Sequence, residues 1–415
     1  MKLPQIERTF LGAVLLVNIL VMLLIWQNGS PEASSEAQGG LSEAPSGAVI
    51  DASKYPTIQA AIDALSNRGG LVQLPPRKIY LDEPLVVTTE ETRIQGVGPA
   101  THIVNRNENG QAAIILRHPD RPVSEQTVNR DKMIWRLQVT DLRISGNPKS
   151  GEGILAIGVC EIYLHNLFID RNGGHGIKLA DCYENPRITD CNITYNGDAG
   201  LRMISSSHNP VISNCHFEEN RDGVFATHIY NICMTGNNLD DQTRHGIVVE
   251  DSWGGVFTGN MVEQCAGTGI IIDKDSYGMA LTANIIGQNY QGGIHLKDGW
   301  GCAVSANTFS ITHERALVIG PDSGRTTVTG NNFANTYVGG KDYRDEPASG
   351  IHLEGTTHVS ITGNVFSGLQ EKAIQRTGDC KHIIVSSNLT TDLQAAPGLD
   401  IGGIKELVQG LNLED

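Results

Sequence analysis

"GIVVEDSWGG", residues 246–255, has two near copies in the chain, "GIIIDKDSYG" at 269–278 and "GIHLKDGWG" at 293–301. Each begins Gly-apolar-x-apolar, passes through charged residues and ends on an aromatic. The pattern extends well beyond these three. Short strands opening with Gly or Ala start at 153, 176, 200, 223, 246, 269, 293, 316, 350 and 373. Every step except 316 to 350 is 23 or 24 residues. A second motif keeps the same beat in "FTGNMV", "VSANTF", "VTGNNF" and "ITGNVF". Its Asn falls at Asn237, Asn260, Asn284, Asn307, Asn331, Asn364 and Asn388, and Cys191 and Cys215 hold that place in two earlier repeats.

A unit of this length cannot bury its own apolar face, so it must stack on its neighbours. Short strands with period-2 apolar residues, stacked at this interval, predict an all-β parallel β-helix. The repeat leaves room for three strands and three turns per coil, which predicts the right-handed type. About 12 coils at ~4.8 Å each make a rod of roughly 60 Å. In-register Asn residues are expected to form a side-chain ladder that satisfies the turn backbone. "YPTIQAAIDALSNRGG" (55–70) predicts an N-terminal capping helix with Pro56 at its start and Ile58, Ala61, Ile62 and Leu65 on one face. Ile404, Leu407, Val408 and Leu411 have helix-like spacing and are expected to cap the other end.

The organisation reads as a cytoplasmic tail over 1–9, a transmembrane signal anchor over 10–26, a flexible linker over 27–47, the β-helix over 48–400 and a C-terminal cap and tail over 401–415. Phe10 to Trp26 is apolar apart from Gly12 and Asn18. As a helix it spans roughly 25 Å, just short of a hydrocarbon core. Lys2 and Arg8 precede it while Glu32 and Glu36 follow, which orients the bulk of the chain to the periplasm or cell surface. A formal net charge of −15 excludes nucleic acid as the partner. The expected partners are the membrane, through the N-terminal helix, and an acidic polysaccharide bound by a monomer. Eight cysteines in an exported chain permit disulfides, Cys160–Cys182 among them.

The run "DASKYPTIQAAIDALSNRGGLVQLPPRKIYLDEPLVV" (51–87) resembles the first coils of right-handed parallel β-helix proteins of the pectate-lyase-like superfamily. The later coils, including "TRHGIVVEDSWGGVFTGN", are similar to those of bacterial mannuronan C5-epimerases. The resemblance implies the fold and, more weakly, chemistry on uronate polymers. The tyrosine-glycine-x-aspartate-proline-histidine run of alginate epimerases is absent. "GHGIKL" (174–179) is similar to the histidine motif of polygalacturonases but lacks paired upstream aspartates, so a two-carboxylate hydrolase has little support.

Within Gly-apolar-x-apolar strands, the second and fourth residues after Gly point outward. Three adjacent coils then concentrate Glu250, Asp251, Asp273, Lys274, Asp275, His295, Lys297 and Asp298. Abstracting a C5 proton beside a carboxylate requires a base and neutralisation of that carboxylate. This reading assigns Lys297 or His295 as base, Tyr277 as proton donor and Asp273 to the catalytic group. Asp251, Asp273, Asp275 and Asp298 are the candidate ligands for Ca²⁺. The same charges also read as a solvated ladder of compensating pairs. Lys178, Arg202 and Arg244 form a basic strip suited to an anionic sugar, with His175 and His245 beside it. Tyr230, Trp253, Tyr277 and Trp300 stand one per coil, either as a sugar-facing platform or as an interior aromatic stack. The leading function is a lyase or C5-epimerase of a uronate polymer. The alternatives are a non-catalytic glycan-binding or envelope scaffold and, less favoured for want of a ligand cluster, a periplasmic metal-maturation accessory.

Overall fold

The computed structural model describes residues 47–335, 348–393 and 398–414. Residues 10–26, and most of the extra loop between Ala316 and Gly350, lie outside the described residues. Among the described residues no helix is long and apolar enough to cross a membrane.

From Gly47 onward the chain winds as a parallel β-solenoid of about 14 turns, two more than expected. One coil shows the plan. Ile247–Glu250 belongs to sheet 1, Trp253–Thr258 to sheet 2 and Met261–Glu263 to sheet 3. Each strand pairs in parallel with its equivalents one coil before and after, as in Val224↔Ile247↔Ile270. Alternation does the sorting. Ile247 and Val249 are buried in the main core, as are Phe257 and Val262 from the other two sheets. Phe309, Phe333 and Phe366 stack inside the rod with centroids 4.6 and 4.7 Å apart.

The corner between sheets 2 and 3 explains the Gly-Asn and Ala-Asn pairs. The residue before the Asn takes a left-handed conformation, at Gly259 (φ 64°) and also at Ala283 (φ 55°). That turn aims the amide along the axis. Asn260 Nδ2 donates to Asn284 Oδ1 (3.0 Å) and to the Met234 carbonyl (3.1 Å), while its Oδ1 accepts the Asn237 N–H (3.1 Å). The ladder runs on to Asn412 and keeps its register across the long step, where Asn331 bonds Asn364. Cys215 joins it only through its N–H, to Asn237 Oδ1 at 3.0 Å. A second ladder, which the sequence reading missed, occupies the corner between sheets 3 and 1. Asn172, Asn196, Asn220 and Gln242 are linked by bonds of 2.9, 2.8 and 3.3 Å.

At the first coil a helix spans Ile58–Asp63, with Thr57 rather than Pro56 at its boundary as N-cap. Ile58, Ala61 and Ile62 are buried. Its Gln59 amide pairs with both the N–H and the carbonyl of Val86 (2.9 and 3.0 Å), so it stands in for a strand neighbour at the edge of sheet 1. The expected C-terminal helix is instead another coil. Lys405–Gln409 pairs in parallel with the strand containing Lys381–Val385. Alternation there turns Leu407 toward the core and leaves Val408 60% exposed, so the helix-like spacing was coincidental. All eight cysteines are free, and Cys160 and Cys182 are buried thiols rather than a disulfide.

The ladder makes a sharp prediction from two adjacent asparagines. Asn331 is buried and makes four hydrogen bonds through its amide, whereas Asn332 is exposed. Asn331→Ala is expected to cost about 3 kcal/mol in urea unfolding, because the partners at Val304 and Asn307 lose their bonds in a dry corner. Asn332→Ala is expected to stay within ~0.5 kcal/mol.

Candidate active site on sheet 1

The outward row of sheet 1 runs Leu155, Lys178, Arg202, Phe225, Val248, Ile271, His295, Val318, His352, in register from coil to coil. Although they point away from the main core, Val248, Ile271 and Val318 are buried. The row is therefore the floor of a trough rather than an open flat surface. Near the first coils the residues between Arg117 and Ile134 pack at the corner that ends sheet 1, against Gly158 and Asp181. There Arg121, wholly buried, bonds Asp181 at 3.0 Å, and Arg130 reaches the same carboxylate at 2.7 Å. The sequence reading missed this strap, since no repeat position marks it.

Along the floor the expected basic strip divides into unlike members. Arg202 stacks on Phe225 (4.1 Å) and donates to the carbonyls of Met203 and Phe225 and to Thr227 Oγ1. No carboxylate lies within ion-pair distance of it among the described residues, and burial pushes its pKa down to about 10. Lys178 is only loosely paired with Glu152, at 3.8 Å. Arg244, by contrast, is clamped by both oxygens of the fully buried Asp222, so it belongs to the frame. His175 and His245 are frame residues as well. The Nδ1 of each accepts a backbone N–H from the next coil, Ala199 (3.2 Å) and Thr268 (3.0 Å), which places the proton on Nε2.

His295 is different. It is half-buried on the floor and makes no hydrogen bond or ion pair among the described residues. Burial, and next the charge of Lys297, lower its pKa, so the ring is neutral at pH 7 with a free lone pair. Lys297 is exposed, has no ion-pair partner among the described residues, and its charge bears on both His295 and His245. Asp273 stands close enough to act on His295, with its own carboxylate accepting the Lys274 N–H at 2.8 Å. Two coils on, His352 is 7% exposed and Arg315 bonds Glu354 at 2.7 Å.

The remaining expected residues lie around the corner. Asp251 pairs with His228 (3.3 Å), Lys274 with Glu250 (2.7 Å), and Asp298 accepts the Asp275 N–H (2.7 Å). Among the described residues no three His, Cys, Asp or Glu side chains converge to hold a metal ion, and Asp251, Asp273, Asp275 and Asp298 do not form a Ca²⁺ donor set. Tyr230, Trp253, Tyr277 and Trp300 line up on sheet 2, with Trp253 48% and Tyr277 55% exposed. They are not an interior stack; that place is filled by phenylalanines. Tyr277 packs against Gly301, away from the His295 strip, so its position gives no support to a role as proton donor there.

His175 has a folded-state pKa of about 4, lowered chiefly by burial, against 6.5 for the free side chain. Between those values the unfolded chain binds more protons, so stability is present above pH 6.5 and is lost as pH falls toward 4. Urea midpoints are expected to drop across that window, and His175→Gln, which can still accept the Ala199 N–H, is expected to flatten the slope.

Two family profiles match the sequence: periplasmic copper-binding protein (NosD), over residues 203–379, and right handed beta helix region, over residues 136–243. No curated protein sequence matches. Among solved structures, the periplasmic alginate epimerase AlgG superposes with a TM-score of 0.55 at 11% identity, covering 89% of this chain and 84% of that one. The pre-mature gene product 12 of bacteriophage phi29 superposes with 0.65 at 11% identity, covering 80% of this chain, which spans only 50% of the phage protein. The parallel register and these superpositions agree that the chain folds as a right-handed parallel β-helix.

Proposed function

We propose that the sheet 1 trough binds an acidic polysaccharide outside the cytoplasm, on a chain anchored through residues 10–26, and abstracts the C5 proton of a uronate. The observation that carries this is His295: a neutral, half-buried imidazole that, like the neighbouring Lys297, has no side-chain partner among the described residues. Its free ring nitrogen takes the C5 proton. The electron pair left on C5 delocalises into the sugar carboxylate, and Lys297 stabilises the charge that gathers there. Arg202 and Lys178, further along the floor, bind the carboxylates of neighbouring sugars. Return of a proton to the opposite face of C5 gives the epimer. Expulsion of the C4 oxygen, with a proton delivered to it, gives an unsaturated sugar. The superposition with an alginate epimerase supports a uronate substrate, and the likeness to the periplasmic NosD family and to periplasmic AlgG supports the location. The NosD description raises copper, and the aspartate pattern raised Ca²⁺. Among the described residues no donor set fits either, and no step is routed through a metal.

In D₂O with alginate, pectate or a glycosaminoglycan, proton NMR is expected to show loss of the C5 signal. New ultraviolet absorbance alongside it marks a lyase; its absence marks an epimerase. His295→Gln is expected to lower kcat by about 10²–10⁴, and Arg202→Met to raise KM with little change in kcat. No exchange on any of these polymers from folded protein would leave a non-catalytic glycan binder as the reading.

A further inference from the structure

Around the corner from the trough, the outer face of sheet 2 has a different chemistry. Over the three coils that contain Trp253, Tyr277 and Trp300, its outward columns are these aromatics, then Val256, Ala280 and Ala303, then Thr258, Thr282 and Ser305. None of the nine is ionisable except the phenol, in a chain of net charge −15. Val256 is 43% exposed, beside the exposed Trp253 and Tyr277. The plane measures roughly 10 by 16 Å from strand spacing and rise.

The rings are seated in a particular way. A Cβ on Gly301 would come within 3.0 Å of the Tyr277 ring, and one on Gly324 within 3.0 Å of Trp300. Both rings thus reach over the backbone of the next coil where that coil has no side chain, and Tyr277 is 55% exposed there. Tyr230 does not share this freedom, because its hydroxyl is tied to His228 Nε2 at 2.7 Å and its ring meets Trp253 at 5.1 Å. Arg325 bounds the plane at the far end, in a left-handed bulge at the place Gly301 holds one coil earlier. Along the near corner run Asp251, Asp275 and Asp298.

The geometry points to a second carbohydrate site on this plane, distinct from the trough and taking a neutral glycan. Aromatic side chains repeated at coil spacing offer apolar surface to the C–H faces of successive sugar rings. The hydroxyl column donates hydrogen bonds to sugar hydroxyls and accepts from them, and the corner carboxylates accept from them. Asp275 and Asp298, which have no ion-pair partner among the described residues, repel uronates. The trough and the plane therefore select opposite classes of sugar, and this assignment does not rest on the chemistry proposed for His295.

The test titrates the intact chain with neutral β-linked hexaoses (cellohexaose, mannohexaose, chitohexaose) and with an oligomannuronate hexaose, read by tryptophan fluorescence and calorimetry. A neutral hexaose is expected to shift the emission saturably, and Tyr277→Ala or Trp300→Ala to weaken it at least tenfold. Ala303→Lys, an exposed-face change that leaves the core intact, is expected to do the same, whereas His295→Gln is expected to leave it unchanged. Three results would overturn the proposal: no response to any neutral hexaose from protein that unfolds normally; oligomannuronate binding that falls with Tyr277→Ala; or a dimer in sedimentation that Val256→Glu dissociates, which would make the plane a contact between copies.

Discussion

The amide of a buried asparagine, repeated once per coil, is the constraint on which the rest of the molecule depends. A parallel solenoid must turn its backbone sharply at each corner, and every such turn leaves N–H and carbonyl groups facing a dry interior. A single Asn side chain bonds both the coil before and the coil after, as Asn260 does for Asn237 and Asn284. It does so only if the coils are in register. The ladder thus ties turn chemistry to strand pairing, and strand pairing fixes which residues share an outward row. His295 and Lys297 stand where they do because the corners on either side admit no slippage.

Much of this was legible in the sequence because the physics repeats. Period-2 burial and the left-handed Gly-Asn corner recur so often that the fold, its hand and the outward row of sheet 1 follow from spacing alone. What escaped was what occurs once. The strap carrying Arg121 belongs to no repeat, and its partner Asp181 reads from sequence as one more outward acid. The second ladder changes residue type at Gln242, which hid its beat. The C-terminal coil misled because four apolar residues at helical spacing arise equally from one strand and the turns that flank it.

The candidate site was harder, since charge along a sequence does not tell who is already paired. Arg244 and Arg202 look alike in the chain. One is locked to a buried aspartate and the other has only carbonyls, a hydroxyl and an aromatic face for company. The acids at 251, 275 and 298 share a phase with the aromatics rather than with His295, because the corner after Glu250 sends the chain to a new face. Register identifies neighbours across coils; only the corner tells which neighbours face the same ligand.

Because the strands lie across the rod, the hydrogen bonds between coils run along it. A pull on the two ends loads those bonds end-on, and each coil boundary bears the full force in series with the others. Within a boundary, three short strands and the asparagine amide share the load. The weakest boundary sets the strength of the whole, so a rod of this kind yields by shedding coils one at a time from the point that gives first. A tether at one end and a polymer held on the flank would transmit tension through only the coils between them.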